Sequence, residues 1–373
     1  MRVYLDHNAT SPTRPEVIEA VTSAMQTHGN ASAPHGHGRA ASVLVEDARE
    51  ALGLALGVCA QDIVFTSGGT EADNAAVYSA VNAGCRRLLV SPMDHPAVVI
   101  AAERSGATVE MMPVSALGQA DMSWLESRLA NWDADEGRPF VALCAVNSET
   151  GVMQDVERAT ELTHAAGGLI LIDAVQALGK IPMTFQPDYM SVSAHKIGGP
   201  MGVGALYAAS DAPLEPLLCG GGQERRRRAG TLNVAGIAGF GAAIKAMTDL
   251  SHTQDLRDAL EAGLKEMEPE LYIFGEEAPC LPNTSFFAVP DAASATLMMA
   301  LDLEGISVST GMACSSGKAQ VSKAIQAMGV DHKAPKGALR VSLGYNSTAA
   351  DIEAFLKAWA KIRRRTRQMQ GAA

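Results

Sequence analysis

Short apolar runs alternate with longer segments in which apolar positions recur every three or four residues. The runs predict strands at 63–66, 87–91, 108–113, 140–146 and 169–173, and the helical spacing between them predicts helices at 71–82, 96–105 and 156–166. Ser123, with Glu126 three residues on, predicts the cap of one more short helix. Leu169 to Ile172 is apolar at every position, as in a strand covered on both faces, and such strands belong to parallel sheets. A further strand at 203–208 returns after a glycine-rich turn. Upstream, residues 1–12 read as an extended arm. Thr13 and Glu16 read as a capping box for a helix with Pro15 early and Gly29 beyond its end. A second amphipathic helix follows, roughly 40–56. Gly236, Gly239 and Gly241 interrupt an apolar helix at 233–250, which costs helix stability but permits close packing.

After about residue 251 the pattern changes. Helices at 253–268, 293–303, 322–328 and 348–364 interleave with strands at 283–289, 305–309 and 338–343. The expectation is an α/β chain with a mainly parallel, doubly wound sheet in a large domain, 13–250, and a smaller α+β domain, 251–373.

Composition narrows the function classes. The 373 residues are 47% hydrophobic, enough for a sizeable core. Thirty Lys and Arg against 41 Asp and Glu leave a formal charge of −11, which argues against general nucleic-acid binding. The run Arg225-Arg226-Arg227-Arg228 is a local exception. No apolar run approaches the roughly 18 residues of a membrane helix, and Met1 to Asp6 has no signal-like apolar region, so a cytoplasmic protein without a membrane partner is expected. Cysteines 59, 85, 144, 219, 280 and 314 lack paired spacing and read as thiols of a reducing compartment. His35 and His37 have no Cys or carboxylate nearby, so no metal site is expected.

Three stretches carry candidate chemistry. Ser193-Ala194-His195-Lys196 runs into Gly198-Gly199-Pro200; a lysine in a water-poor loop can hold an aldehyde as a Schiff base. Asp173 ends a buried strand, where open α/β sheets place ligands, although a helix cap is an equal reading. Ile63 to Thr66 leads through Gly68-Gly69-Thr70 into a helix, whose first N–H groups suit a phosphate. Each has a plain structural reading alone. In this order they describe one site for pyridoxal phosphate, whose ring nitrogen needs a carboxylate.

The chain resembles the pyridoxal phosphate-dependent cysteine desulfurases of the class V aminotransferase group, which have the fold type I architecture. The resemblance rests on Tyr4-Leu5-Asp6-His7-Asn8-Ala9-Thr10, Phe65 to Glu71, Asp94-His95-Pro96, Val146-Asn147-Ser148-Glu149-Thr150-Gly151 and Asp173-Ala174-Val175-Gln176. It continues through the His195-Lys196 loop, Arg228-Ala229-Gly230-Thr231, Ala313-Cys314-Ser315-Ser316-Gly317 and Leu339 to Gly344. It implies that Lys196 carries the cofactor and moves the Cα proton. Asp173 would hold the ring-nitrogen proton, His95 would stack on the ring, and Gln176 would reach its phenolic oxygen. Thr70, Ser193 and His195 would bind phosphate, with Gly69 contributing backbone. Asn147 and Arg340, with Asn8, match substrate-binding positions, and His35 lies near the entrance. Cys314, in a small-residue loop able to swing, would take sulfur from L-cysteine as a persulfide and release alanine. The arm 1–12 would pack with the small domain. Thr231 would reach the phosphate of a neighbouring subunit, which makes a homodimer the expected assembly. Met312 and Met201 depart from the family pattern. A scaffold or carrier protein would accept the sulfur, for iron–sulfur clusters or for thiolated tRNA or cofactors. Selenocysteine lyase and aminotransferase are the rival activities on this fold, and a non-catalytic partner protein the rival outside it.

Overall fold

Residues 2–310 and 322–370 are described in the computed structural model, so Cys314 and Met312 lie outside the described residues. At the middle of a seven-stranded sheet runs Leu169–Asp173, flanked in parallel by Phe140–Cys144 and Tyr189–Ser193. All five of its residues are buried, for the reason its unbroken apolar run suggests. Ile170 and Ile172 pack on one face with Leu52 and Phe240 from the helices Gly36–Leu56 and Val234–Lys245. Leu169 and Leu171 pack on the other with Ala76 and Val98 from the helices Gly69–Asn82 and Pro96–Arg104.

Beyond Phe140–Cys144 the sheet continues in parallel through Arg87–Val90 to Thr108–Met111. On the other side Gly204–Ala208 runs antiparallel to both Tyr189–Ser193 and Ile63–Thr66. The sheet is therefore mixed but mostly parallel and doubly wound.

Two helix starts differ from the expected ones. Arg14, not Thr13, precedes the helix Pro15–Gln26, and no side chain caps it. A residue before proline is held extended, and the Arg14 Nε is drawn instead to the Ile197 carbonyl at 3.0 Å. At the helix Met122–Ala130 the cap is Asp121, which accepts the Trp124 N–H at 2.9 Å, and Ser123 lies inside the helix. The second helix begins at Gly36, earlier than its apolar periodicity indicates, because His35 caps it. The glycines of Val234–Lys245 do permit close packing: a Cβ at Gly241 would meet Ala48 Cβ at 2.8 Å.

The second unit is a four-stranded antiparallel sheet in the order Ser309–Thr310, Leu339–Ser342, Thr284–Ala288, Tyr272–Ile273. Helices His252–Met267, Ser294–Leu303 and Ala349–Gln370 accompany it, around Leu301, Phe287, Phe355 and Trp359. The run expected as one strand at 305–309 is split. Ile306–Ser307 pairs in parallel with Val3–Tyr4 of the arm, and Ser309–Thr310 pairs with Leu339–Ser342. The arm thus joins this unit, and Asp6 bridges to Ser342. No described helix is long and apolar enough to cross a membrane.

Candidate active site

The parallel strands end along one edge of the large sheet, and a cavity of about 390 Å³ opens there. Ile63–Thr66 delivers Gly69 and Thr70 to it, Arg87–Val90 delivers His95, and Leu169–Asp173 delivers Asp173 and Gln176. Tyr189–Ser193 brings Ser193, His195 and Lys196, while Asn8 and Arg340 enter from the arm and the second sheet.

Lys196 sits in a tight helical turn at Ala194–Ile197. Its Nζ donates to the carbonyls of Asn8 at 2.6 Å and Ala9 at 2.9 Å. Burial first, and then the Arg340 charge, push its pKa down to about 8, against the pull of Asp173 and Asp6. At pH 7 about one Lys196 in ten is then a free amine, against about one in three thousand for an ordinary lysine.

Asp173 is buried, and burial raises its pKa against a hydrogen bond from the Val175 N–H at 2.9 Å and the charges of His95 and Lys196. Two further buried acids accompany it. Burial holds Asp73 and Asp94 well above the carboxylate range, with Asp173 adding to both. One oxygen of each, Asp73 Oδ1 and Asp94 Oδ2, has no hydrogen-bond partner among the described residues. Asp73 lines the cavity and was legible in principle: it follows Thr70 by three residues, on the same helix face.

His95 caps its helix, Nδ1 accepting the Ala97 N–H at 3.1 Å, and burial lowers its pKa. The other ring nitrogen is left for the cavity. His195 is pushed down to about 4 by burial and then by Lys196 and Lys180, so it is neutral at pH 7. A Cβ on Gly69 would lie 2.6 Å from Val175 Cγ2, so only glycine fits where the helix Gly69–Asn82 begins. That helix end lies beside Thr70, Ser193 and His195, and its first N–H groups suit an anion.

Arg340 donates to Asp6 at 2.7 Å and to the Ser148 carbonyl at 2.8 Å, while its buried Nε has no partner among the described residues. Gln176 Nε2 donates to the Asn8 carbonyl at 2.9 Å and its Oε1 accepts from Lys180 at 2.6 Å. Asn8 Nδ2 donates to Thr284 at 2.8 Å.

Other expected residues lie elsewhere. Asn147 is not among the residues lining the cavity. Its Nδ2 donates to the Met93 carbonyl at 2.8 Å and its Oδ1 accepts from Thr150, so the amide braces a turn. His35 is exposed and is not among the residues lining this cavity, and its Nδ1 accepts the Gly38 N–H at 3.2 Å. Thr231 is also exposed and does not line the cavity of its own chain. Cys144 is buried and also lines the cavity; burial and then Asp94 raise its thiol pKa well above the usual value, so it stays protonated. Sequence reading missed Asp73, Lys180 and the bridging role of Asp6.

The donor set fits pyridoxal phosphate. An amine with a depressed pKa suits an aldehyde, a buried acid suits a ring nitrogen, and the glycine-led helix end suits a phosphate. Arg340, with one unpartnered donor, suits a carboxylate.

Comparison with known proteins agrees with this geometry. The aminotransferase class-V family model matches residues 3–355. A cysteine desulfurase of Cereibacter sphaeroides is 40% identical over 369 residues, covering 95% of this chain and 94% of its own. An IscS-like cysteine desulfurase of Mycobacterium tuberculosis is 36% identical, with 99% of each chain covered. The solved structure of a NifS-like protein from Rickettsia africae superposes with a TM-score of 0.89 at 31% identity, covering 98% of this chain and all of that one. Full-length similarity at this level places the chain in the class-V aminotransferase family, among the cysteine desulfurases.

Proposed function

We propose that the chain is a pyridoxal phosphate-dependent cysteine desulfurase that converts L-cysteine to L-alanine and carries the sulfur on Cys314. The observation that carries this reading is the meeting of Lys196, Asp173 and the Gly69 helix end in one cavity with Arg340 opposite. When bound, the cofactor supplies the electron sink that makes a Cα–H bond breakable. Lys196 would hold the cofactor through its amine and would take the Cα proton of the substrate. Asp173 would hold a proton at the ring nitrogen. Thr70, Ser193, His195 and the Gly69 backbone would hold the phosphate, and Arg340 would hold the substrate carboxylate. His95 faces the cavity with one ring nitrogen free to relay a proton.

The Cys314 thiolate attacks the substrate sulfur. The Cβ–S bond breaks and an S–S bond forms; with protons returned to carbon, the products are alanine and a Cys314 persulfide, and no external oxidant is required. The persulfide passes to an acceptor thiol on a scaffold or carrier protein. The reading includes a cytoplasmic, two-fold homodimer. Thr231 is exposed and absent from its own cavity, as a residue serving the partner's phosphate corner would be. The five described cysteines are free thiols, which suits work in a reducing compartment.

The test is incubation of the purified protein with L-cysteine, measuring alanine and protein-bound persulfide together. Equal yields in a first turnover, with persulfide on the Cys314 peptide, are expected. Cys314→Ser should keep the visible band of the bound cofactor and lose persulfide. Persulfide formation undiminished in that variant, or alanine formed without it in the native protein, would overturn the assignment.

A further inference from the structure

Behind Lys196 lies a second lysine that the chemistry above does not use. Lys180 Nζ donates to Gln176 Oε1 at 2.6 Å and to Asn8 Oδ1 at 2.9 Å. Among the described residues it pairs with no carboxylate: both of its acceptors are side-chain amide oxygens. Burial, and then the charges of Lys196 and Arg340, lower its pKa well below the ordinary value. His7 and His195 face it as well, and its charge lowers both of their pKa values.

A side-chain amide has one accepting and one donating end, and its neighbours decide which points where. Gln176 and Asn8 both line the cavity. Lys180 claims the oxygen of each. Gln176 Nε2 is thereby turned toward the Asn8 carbonyl at 2.9 Å, and that carbonyl oxygen also receives Lys196 Nζ at 2.6 Å. The reversed Gln176 amide would set its oxygen against the Asn8 carbonyl oxygen, two acceptors face to face.

We propose that Lys180 is a positioning residue: by holding the oxygens of Gln176 and Asn8 it makes Gln176 present an N–H, not a lone pair, to the cavity. One Nε2 hydrogen is used by Asn8 and the second remains for an anionic oxygen of the bound ring. This inference rests on the cofactor reading above. Its chemical consequence is a preference for the deprotonated form of that ring oxygen, because a donor stabilises an anion and an acceptor repels it.

The experiment is a pH titration of the visible absorption band of the holoenzyme in native protein, Lys180→Met, Lys180→Arg, Gln176→Ala and the Lys180→Met/Gln176→Ala double variant. Loss of the donor removes stabilisation of the anionic form, so Lys180→Met should raise the band's pH midpoint, by about one to two units, the value of one charge-assisted hydrogen bond. Lys180→Arg, which still donates, should return the midpoint toward the native one. In the Gln176→Ala background Lys180→Met should produce no further shift, because the amide it orients is gone. A merely structural lysine would shift the midpoint equally in both backgrounds, or not at all, and either result overturns the proposal. Urea midpoints of each variant report folding. If Lys180→Met does not fold, Lys180→Gln replaces it, since its shorter side chain cannot span both oxygens. Absence of any visible band in the native protein would instead overturn the cofactor reading.

Discussion

Replacing Arg49 by methionine tests what anchors the arginine-rich loop. The Arg49 guanidinium meets Glu224 in a two-pronged pair at 2.9 and 2.8 Å, with side chains 5% and 1% exposed. It also donates to the Ile63 carbonyl at 2.8 Å and lies 4.8 Å over the Phe65 ring. Glu224 in turn accepts the Phe65 N–H at 2.9 Å. Methionine keeps much of the apolar stem and removes the charge, leaving a buried carboxylate with one N–H. Removing one partner of such a pair costs about 3–5 kcal/mol. The loop can relieve part of that by opening. Glu224, Arg225 and Arg226 are held at φ 45°, 55° and 68°, and each left-handed residue without glycine costs about 1 kcal/mol, which opening would release. The expected result is a urea midpoint lowered by up to about 0.7 M, taking a slope of about 3 kcal/mol/M. Faster tryptic cleavage within Arg225 to Arg228 should accompany it. Arg49→Met/Glu224→Leu should recover most of the loss, less about 1 kcal/mol for the unpaired Phe65 N–H. An unchanged midpoint together with unchanged tryptic resistance in Arg49→Met would refute the anchoring role.

Lys196 should be the site of cofactor attachment: borohydride reduction followed by mass spectrometry should find the added mass on its peptide, and finding it on Lys180 or Lys245 would contradict the assignment. In the cofactor-free protein, labelling of Lys196 by a small aldehyde should rise with pH through a midpoint near 8, because its folded pKa lies at about 8 and the free amine gains above it; a midpoint near 10.5 would count against the burial argument. His7, 2% exposed, is held neutral with its pKa pushed down to about 4, chiefly by burial. The unfolded chain therefore binds the extra proton between about pH 6.5 and 4, and the contribution present above pH 6.5, about 3 kcal/mol, is lost as pH falls through that window; urea midpoints measured across it should drop, and His7→Gln should make the drop shallower. Mixing two inactive variants, Lys196→Ala and Thr231→Asp, should restore some activity through a dimer in which one site has both native residues, whereas a monomer with full cofactor occupancy would exclude the shared site.

Much of this was legible because it is local. Leu169 to Asp173 announces a doubly covered strand and its terminal acid, and Gly68-Gly69-Thr70 announces a helix end open to an anion. What sequence could not supply is where side-chain amides and acids from distant segments meet. Asn147 reads as a binding residue by motif, yet its amide is spent on Met93 and Thr150. Lys180 looks like an ordinary surface lysine until the arm brings Asn8 to it, 172 positions away. Capping misled for a similar reason. Thr13 and Glu16 have the right spacing, but Arg14, held extended before Pro15 and drawn to Ile197, takes the position.

The arm's pairing has a consequence for biosynthesis. Lys196 lies in the connection between two neighbouring antiparallel strands, so its turn depends on short-range contacts that can form early. The carbonyl that receives its amine belongs to Asn8, 188 positions earlier in the chain. Asn8 is in turn held by Ser342 and Thr284, and the backbone of His7 by Ser342. The arm must therefore wait for a strand 334 positions further along the chain before it can settle. A nascent chain stalled before Leu339–Ser342 would carry the lysine turn with the arm not yet seated, and so the nucleophile would be set in place only once that strand has been made.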